Sequence, residues 1–282
     1  MSKVAIITDS TSDLPVELAK ELDIKIIPLT VIFGEESFLD DGKDITINDF
    51  YKKIRTSEKL PTTTQPTPKD FIEAYTDILK KSESIISIHI SKKMSGTINS
   101  VEMAKKDMPD RDIELIDSGY VSMALGFLVL KAAQMAKEGK SKEEILKSIY
   151  DLKPKIKVLF VPSTLEYLKK GGRIGKAKGL IASLLEIKPI LTIHDGEVSQ
   201  FKTARRWNQA KTELINSMKT MVKNPQNLIV SVGDSDAKED AAEMYEKIKE
   251  TFNPKKIFRV DIGAVVGTHL GPGGLCIIFY EE

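Results

Sequence analysis

The chain has 282 residues, enough for one large domain or two smaller ones with a substantial core, and 42 Lys plus Arg against 41 Asp plus Glu leave a formal net charge of +1. That balance excludes a charge-driven nucleic-acid binder, and the longest uncharged apolar run, Val121 to Leu130, is too short to span a bilayer. The lone cysteine, Cys276 in Leu275-Cys276-Ile277-Ile278-Phe279, excludes an internal disulfide and argues against redox chemistry and structural zinc. A soluble, cytoplasmic protein is expected, with Cys276 as inert packing and neither metal nor cofactor.

Val4 to Ile7 reads as a buried strand ending in the polar run Thr8-Asp9-Ser10-Thr11-Ser12-Asp13, which opens a helix at Leu14-Pro15-Val16-Glu17. Capping explains Ser12 or Asp13 but not the whole run, so this strand carries hydroxyls and an acid to its carboxyl end. Ile24 to Phe33 reads as a second strand. The acidic turn Asp40-Asp41-Gly42-Lys43-Asp44 reads as a solvated loop without calcium-loop spacing. Three prolines hold Pro61 to Pro68 in an extended, hydroxyl-rich loop ahead of a helix over Lys69 to Lys80, and this short, stiff loop counts as a site component.

Ile85 to Ile90 is a β-branched strand containing His89, read as a satisfied core residue. Ile98, Val101 and Ala104 then recur at helical spacing, so Ser95-Gly96-Thr97 lies at a strand-to-helix corner. In an open α/β sheet such corners are where ligands sit. Ser95 and Thr97 put hydroxyls beside unpaired amides and Gly96 admits close approach to the backbone, which suits a carboxylate or phosphate; the same residues also serve as an ordinary helix cap. Ile113 to Ser118 is another strand, feeding an apolar helix from Val121 to Lys137.

The second half has a different rhythm. Val158 to Val161 is a strand, and Thr164 to Ile174 holds a short helix closed by glycines. The small-residue segment Gly179 to Leu185 leads to Lys188 to Ile193, and Asp195-Gly196, beside a structural His194, turns a hairpin into Glu197 to Lys202. A helix over Trp207 to Lys223 and strands at Leu228 to Val232 and Lys256 to Ile262 follow, with Asp234 to Phe252 largely helical between them. The pattern predicts two α/β lobes with the ligand between them. Residues 1–154 would form a Rossmann-like parallel sheet with helices on both faces, and 155–282 a mixed α/β sheet domain.

Five glycines and a proline flank Thr268-His269, so Gly263 to Gly274 reads as a loop with unusual backbone angles or very close contacts, and His269 suits an open site. The loop does not match a Walker A phosphate cradle, and no nucleophile elbow, His-Glu-x-x-His helix or paired-cysteine motif occurs. The residues point to binding more than to bond breaking.

Ile7 to Leu14, the Thr-rich Gln-Pro loop, Ser95-Gly96-Thr97, Leu168-Lys169-Lys170-Gly171-Gly172-Arg173-Ile174 and Gly267-Thr268-His269-Leu270-Gly271-Pro272-Gly273 occur in an order that resembles the DegV family over essentially the whole chain. The resemblance implies two α/β lobes enclosing a long-chain fatty acid. It also implies a carrier rather than an enzyme, presenting the acid to an ATP-binding fatty acid kinase subunit for acyl-phosphate formation ahead of phospholipid synthesis. By position it assigns Thr63 and Ser95, beside Gly96 and Thr97, to the carboxylate, and has His269 with Thr268 complete that shell. Arg205, five residues before Ala210, and Arg173 fall to the partner or the phosphate, with Arg206 competing for the role of Arg205.

Where the family has Thr-Ser-Gln-Pro-Ser, this chain has Thr63-Thr64-Gln65-Pro66-Thr67, which keeps the hydroxyls and adds methyl groups. Tunnel lining would come from Val121 to Leu130 and Gly179 to Leu185, most of whose residues serve core packing. The family's C-terminal lobe also resembles part of the dihydroxyacetone kinases, which implies an alternative, a small-carbonyl phosphotransferase subunit using His269. A lipid-responsive regulatory protein is a third reading.

Overall fold

The structure, a computed structural model, describes residues 4–183 and 187–282. Its first half runs β1 (Val4–Asp9), α1 (Val16–Glu21), β2 (Lys25–Ile27), β3 (Thr30–Phe33), β4 (Glu36–Leu39), α2 (Ile47–Thr56), β5 (Thr62–Thr64), α3 (Pro68–Ile78), β6 (Ser84–His89), α4 (Thr97–Lys106), β7 (Ile113–Asp117), α5 (Met123–Lys137) and α6 (Lys142–Leu152). Local chemistry sets several helix starts. Thr67 and Asp70 form a capping box ahead of α3, with Pro68 at its first position, and Ser141 with Glu144 does the same for α6.

Strands β2, β1, β6 and β7 pair in that order, all parallel. Ile7, Ile27 and Ile85 pack with Phe71, Tyr75 and Val101 of α3 and α4, whereas Ile6, Ile86 and Ile88 belong to the core that includes α5. Side chains alternate along a strand, so a sheet covered on both faces needs apolar residues at every position. The chain leaves β1 for β2 on one side and returns to β6 on the other, so strand order reverses between β1 and β6.

The single strand expected over Ile24 to Phe33 is instead two strands in different sheets. Pro28 lacks an amide to donate and interrupts the ladder. Lys25–Ile27 stays beside β1, while Thr30–Phe33 pairs antiparallel with both Glu36–Leu39 and Thr62–Thr64. The stretch expected as loop at Pro61 to Pro68 therefore supplies an edge strand, with Thr63 opposite Val31. This three-stranded sheet packs on Phe50, Tyr51 and Ile54 of α2.

The second half runs β8 (Lys157–Val161), α7 (Glu166–Lys170), a 3-10 segment Gly175–Ser183, β9 (Lys188–His194), β10 (Glu197–Ala204), α8 (Trp207–Met221), β11 (Leu228–Ser235), α9 (Lys238–Phe252), β12 (Lys256–Asp261), α10 (Ala264–Leu270) and β13 (Gly274–Glu281). The sheet order is β10-β9-β8-β13-β11-β12, antiparallel except for β11 with β12. Asp195 and Gly196 both have positive φ, as a two-residue hairpin requires. Leu159, Val161, Leu275 and Ile277 pack in the core with α8 and α9, and the alternate residues Val158, Phe160, Cys276 and Ile278 face the first half. Phe127 of α5 meets Tyr280 edge-on across that seam.

The glycine-rich stretch expected as loop is in the main a helix. Residues Ala264–Leu270 form α10, and its glycines serve chiefly close packing: a Cβ on Gly267 would lie 2.6 Å from Tyr51 Oη and 2.8 Å from Phe50 Cε1. Backbone freedom is needed just past the helix, where Gly271 and Gly273 have φ of 76° and 84°. Among the described residues, no helix is long and apolar enough to cross a membrane.

Candidate functional site

A cavity lies at the carboxyl ends of β1 and β6, between the parallel sheet and the inner face of the six-stranded sheet. Ile90, Val121, Phe160, Val198, Ile262 and Cys276 are among its apolar walls, and Thr63, Ser95, Gln65, Arg173 and His269 are among its polar groups. The strand-end position is where an open α/β sheet leaves room for a ligand. Of the segments expected to line it, Val121 and Ser122 do so, whereas Leu125, Phe127 and Leu128 are buried in the core. Gly179 and Leu180 are not in its wall; Leu184 and Leu185 lie outside the described residues.

Three separate elements bring the polar groups together. Thr63 sits on edge strand β5, and His269 lies in the last turn of α10. Thr63 Oγ1 and His269 Nε2 are 2.9 Å apart and share a hydrogen bond. Ser95 closes the β6–α4 corner: its Oγ lies 2.9 Å from Thr97 Oγ1 and accepts from the Thr97 amide at 3.3 Å. Gly96 caps α4, and a Cβ there would meet Gln65 Nε2 at 2.8 Å, so the corner and the Thr-Gln-Pro segment are packed together.

Arg173 ties the Ser95 corner to the turn at Gly171. Its Nε donates to the Met94 carbonyl at 3.0 Å and its Nη1 to the Gly171 carbonyl at 2.6 Å. Outside the head of the cavity lies a recess whose walls include Lys59, Tyr167, Lys170, Arg173, Thr268 and His269. Thr268 turns its hydroxyl back to the Ala264 carbonyl and reaches this outer recess rather than the cavity wall. Arg205 and Arg206 are exposed ahead of α8 and line neither space; the Arg205 amide donates to Gln209 Oε1.

Burial and the nearby Arg173 guanidinium push His269 down to about 4, so the imidazole is neutral at neutral pH. Its Nδ1 is buried and, among the described residues, has no hydrogen-bond partner. The backbone of Gly171 packs directly against this nitrogen, leaving no room for a Cβ. A proton on Nδ1 would be stranded, so the favoured tautomer carries it on Nε2 and donates to Thr63 Oγ1. The Thr63 hydroxyl hydrogen is then free to point into the cavity. Hydroxyl groups of Thr63 and Ser95 beside the Arg173 charge form a polar end, of the chemistry that suits an anion, joined to apolar walls.

Two acids depart from their expected roles. Asp40, expected on a solvated turn, accepts from the amides of Ala264 at 3.1 Å and Val265 at 3.3 Å. Asp13 accepts from the Gly263 amide at 3.0 Å and from Ser122 Oγ at 2.5 Å. Neither contact leaves a trace in periodicity, since both partners lie more than 100 residues away. His89 meets its expectation: it is fully buried, with Nδ1 2.8 Å from Asp9 Oδ2 and Nε2 2.6 Å from Ser87 Oγ. Among the described residues, no group of three or more His, Cys, Asp or Glu is arranged to hold a metal ion.

The family model described as an uncharacterised protein of the DegV family matches residues 3–282. The chain belongs to the DegV family. It is 38% identical to a DegV domain-containing protein of Caldanaerobacter subterraneus, covering all of both chains, and 31% identical to Protein DegV of Bacillus subtilis over 98% of this chain and 99% of that one. Among solved structures it resembles a DegV family protein from Thermus thermophilus described by its fatty acid binding, with a TM-score of 0.94, 31% identity and full coverage of both chains. DegV of Bacillus subtilis, described as a fatty acid binding protein, superimposes with a TM-score of 0.91 at 30% identity, again over both full chains. The two-lobed α/β architecture is thus the DegV fold.

Proposed function

We propose that this DegV protein holds one long-chain fatty acid in the cavity, between a domain of residues 1–154 and one of residues 155–282. Thr63 and Ser95 would hold the carboxylate and His269 would complete that shell by holding the Thr63 hydroxyl, with Gly96 and Thr97 shaping the corner beneath it. The observation that carries this reading is the 2.9 Å Thr63–His269 pair set with Ser95 and Arg173 in an otherwise largely apolar cavity. The relatives described as fatty acid binding proteins support the same ligand class.

Burial of a tail yields about 0.8 kcal/mol per methylene, on the order of 10 kcal/mol for a long chain, against about 1 kcal/mol net for a neutral hydrogen bond. The tail therefore dominates affinity, and the hydroxyls and imidazole decide which end faces the recess. A carboxylate so placed is presented rather than transformed: the protein works in the cytoplasm as the carrier subunit of an ATP-using fatty acid kinase. Phosphoryl transfer takes place in the outer recess, with Arg173 and Thr268 beside the phosphate and exposed Arg205 on the face that meets the kinase.

Native mass spectrometry of the purified protein, with solvent extraction of whatever is released, tests the ligand. The expected result is one fatty acid per chain. A bare-chain mass that stays unchanged after incubation with fatty acids overturns the reading. Loss of a captured small carbonyl compound on removal of the His269 side chain would put the phosphotransferase alternative in its place.

A further inference from the structure

Helix α10 carries His269 in its last turn and is held at its first turn by two carboxylates from the other half of the chain. Asp13 follows the carboxyl end of β1 and accepts from Gly263; Asp40 follows β4 and spans the amides of Ala264 and Val265 with its two oxygens. Three consecutive amides at the start of the helix, which no helical carbonyl satisfies, are thereby paired. Gly263 is what admits both acids, because a Cβ there would lie 2.9 Å from Asp13 Oδ1 and 3.4 Å from Asp40 Oδ1. Asp13 also accepts from Ser122 Oγ, and both Asp13 and Ser122 hold positive φ, at 48° and 57°. Two non-glycine residues in that region indicate a junction fixed by its surroundings. His269 lies five positions after Ala264, a rise of about 8 Å along a rigid helix, so a shift at the first turn is carried to the imidazole.

We propose that Asp13 and Asp40 are positioning residues for His269, clamping α10 by its first amides so that the Thr63–His269 pair stays in place. The ligand part of this inference rests on the fatty-acid reading. Other groups around the pair are Asp9 on β1, Tyr51 on α2, Lys20 on α1 with Asp23 beyond it, Lys25 on β2, Asp41 and Lys43 on the same turn as Asp40, and Arg259 and Asp261 on β12. Burial pushes Asp13 up to about 8 and Asp40 up to about 6, with neighbouring acids adding to the rise and the amide and hydroxyl hydrogen bonds opposing it. The amides of Gly263, Ala264 and Val265 and the Ser122 hydroxyl all donate to these oxygens, so the contacts of the clamp themselves favour the ionised acids.

The test uses the full chain with carboxyl-13C palmitate as probe. Ligand off-rate and the His269 ring signals are followed by NMR in the wild type, Asp13→Asn, Asp13→Ala and Asp40→Asn. Asp13→Asn, whose amide keeps an acceptor for Gly263 and gains a donor for Ser122, should hold the slow off-rate and the wild-type His269 signals. Asp40→Asn, whose amide nitrogen cannot accept from a helix amide, and Asp13→Ala should each release the probe about tenfold faster and shift the His269 signals. Should Asp13→Ala not fold, Asp40→Asn still decides. A wild-type off-rate in Asp13→Ala and Asp40→Asn, with His269 signals indifferent to them, overturns the inference. Failure of the wild type to bind palmitate, with His269 signals still following Asp13 and Asp40, would overturn the fatty-acid reading and leave the positioning role standing.

Discussion

His89 and His269 lie near the same crevice, and both are enclosed by protein, yet their hydrogen bonding differs. His89 has both ring nitrogens partnered, one by Asp9 and one by Ser87, whose hydroxyl in turn lies 2.7 Å from Tyr75 Oη. Asp9 also accepts from the Ile90 and Thr11 amides, so the chain locks the ends of β1 and β6 together. Ser87, His89 and Asp9 form the sequence of contacts found in a nucleophilic triad, but all three are fully buried and the serine lines no described cavity. His269 has one nitrogen paired to Thr63, the other unpaired, and an edge on the cavity. A buried polar group with every valence satisfied holds the fold; one left partly unsatisfied beside open space is held for something else.

Breaking the first side of this comparison should have the largest effect. His89→Ala leaves Asp9 without its ring partner and opens a cavity in the sheet, an expected loss of about 3–5 kcal/mol in stability by denaturant unfolding. A loss below 1 kcal/mol would show that the Asp9–His89 pair does not lock the strands. His269→Ala should do the reverse. Stability should change by no more than about 1 kcal/mol, while fatty-acid affinity by calorimetry should fall about 10- to 100-fold, the worth of the Thr63 hydrogen bond to the carboxylate that the imidazole orients. Unchanged affinity would remove His269 from the head-group site.

The sequence carries this contrast unevenly. Alternating apolar runs and strand-to-helix corners made the parallel sheet, the hairpin at Asp195-Gly196 and the Ser95 corner legible, because each depends on neighbours within a few residues. The apolar strand around His89 likewise marked it as core. The helix at Ala264–Leu270 was not legible, since glycines that lower helix propensity are retained there to admit Asp13, Phe50, Tyr51 and Tyr167 from distant parts of the chain. Asp40 was misread for the same reason: an acid in an Asp-Asp-Gly turn looks solvated until a helix start more than 200 residues away is laid over it. The motif order supplied by resemblance, rather than periodicity, brought Thr63 and His269 to one site.

Gly171→Ala sharpens the second side of the comparison without removing the imidazole. The position has an ordinary negative φ of −73°, so alanine costs nothing in backbone angle. Its methyl group, however, would meet His269 Nδ1 and lie 2.9 Å from the Tyr167 carbonyl. Overpacking of this kind costs about 1–3 kcal/mol. Displacement of the ring from Thr63 should lower fatty-acid affinity about tenfold while thermal unfolding remains cooperative. An affinity equal to that of the wild type would mean that the ring position set by Gly171 is immaterial to binding.

The smallest expected change is a flat line. The ordinary histidine value is near 6.5, and burial with the Arg173 charge lowers His269 to about 4, so between those values the unfolded chain binds a proton that the native site refuses. Stability that depends on His269 is therefore complete above about pH 6.5 and is lost as pH falls toward 4. Between pH 8 and 6.5 the ring of the folded chain is neutral, and its own protonation contributes nothing to ligand affinity. The Cε1 proton signal of His269 in the wild type should thus show no protonation step from pH 8 to 5. In Arg173→Gln the step should move upward, because one of the two causes of the depression is gone. A full protonation step near 6.5 in the wild type would mean that water reaches Nδ1, and the distinction drawn here between a satisfied histidine and a withheld one would fail at its more informative end.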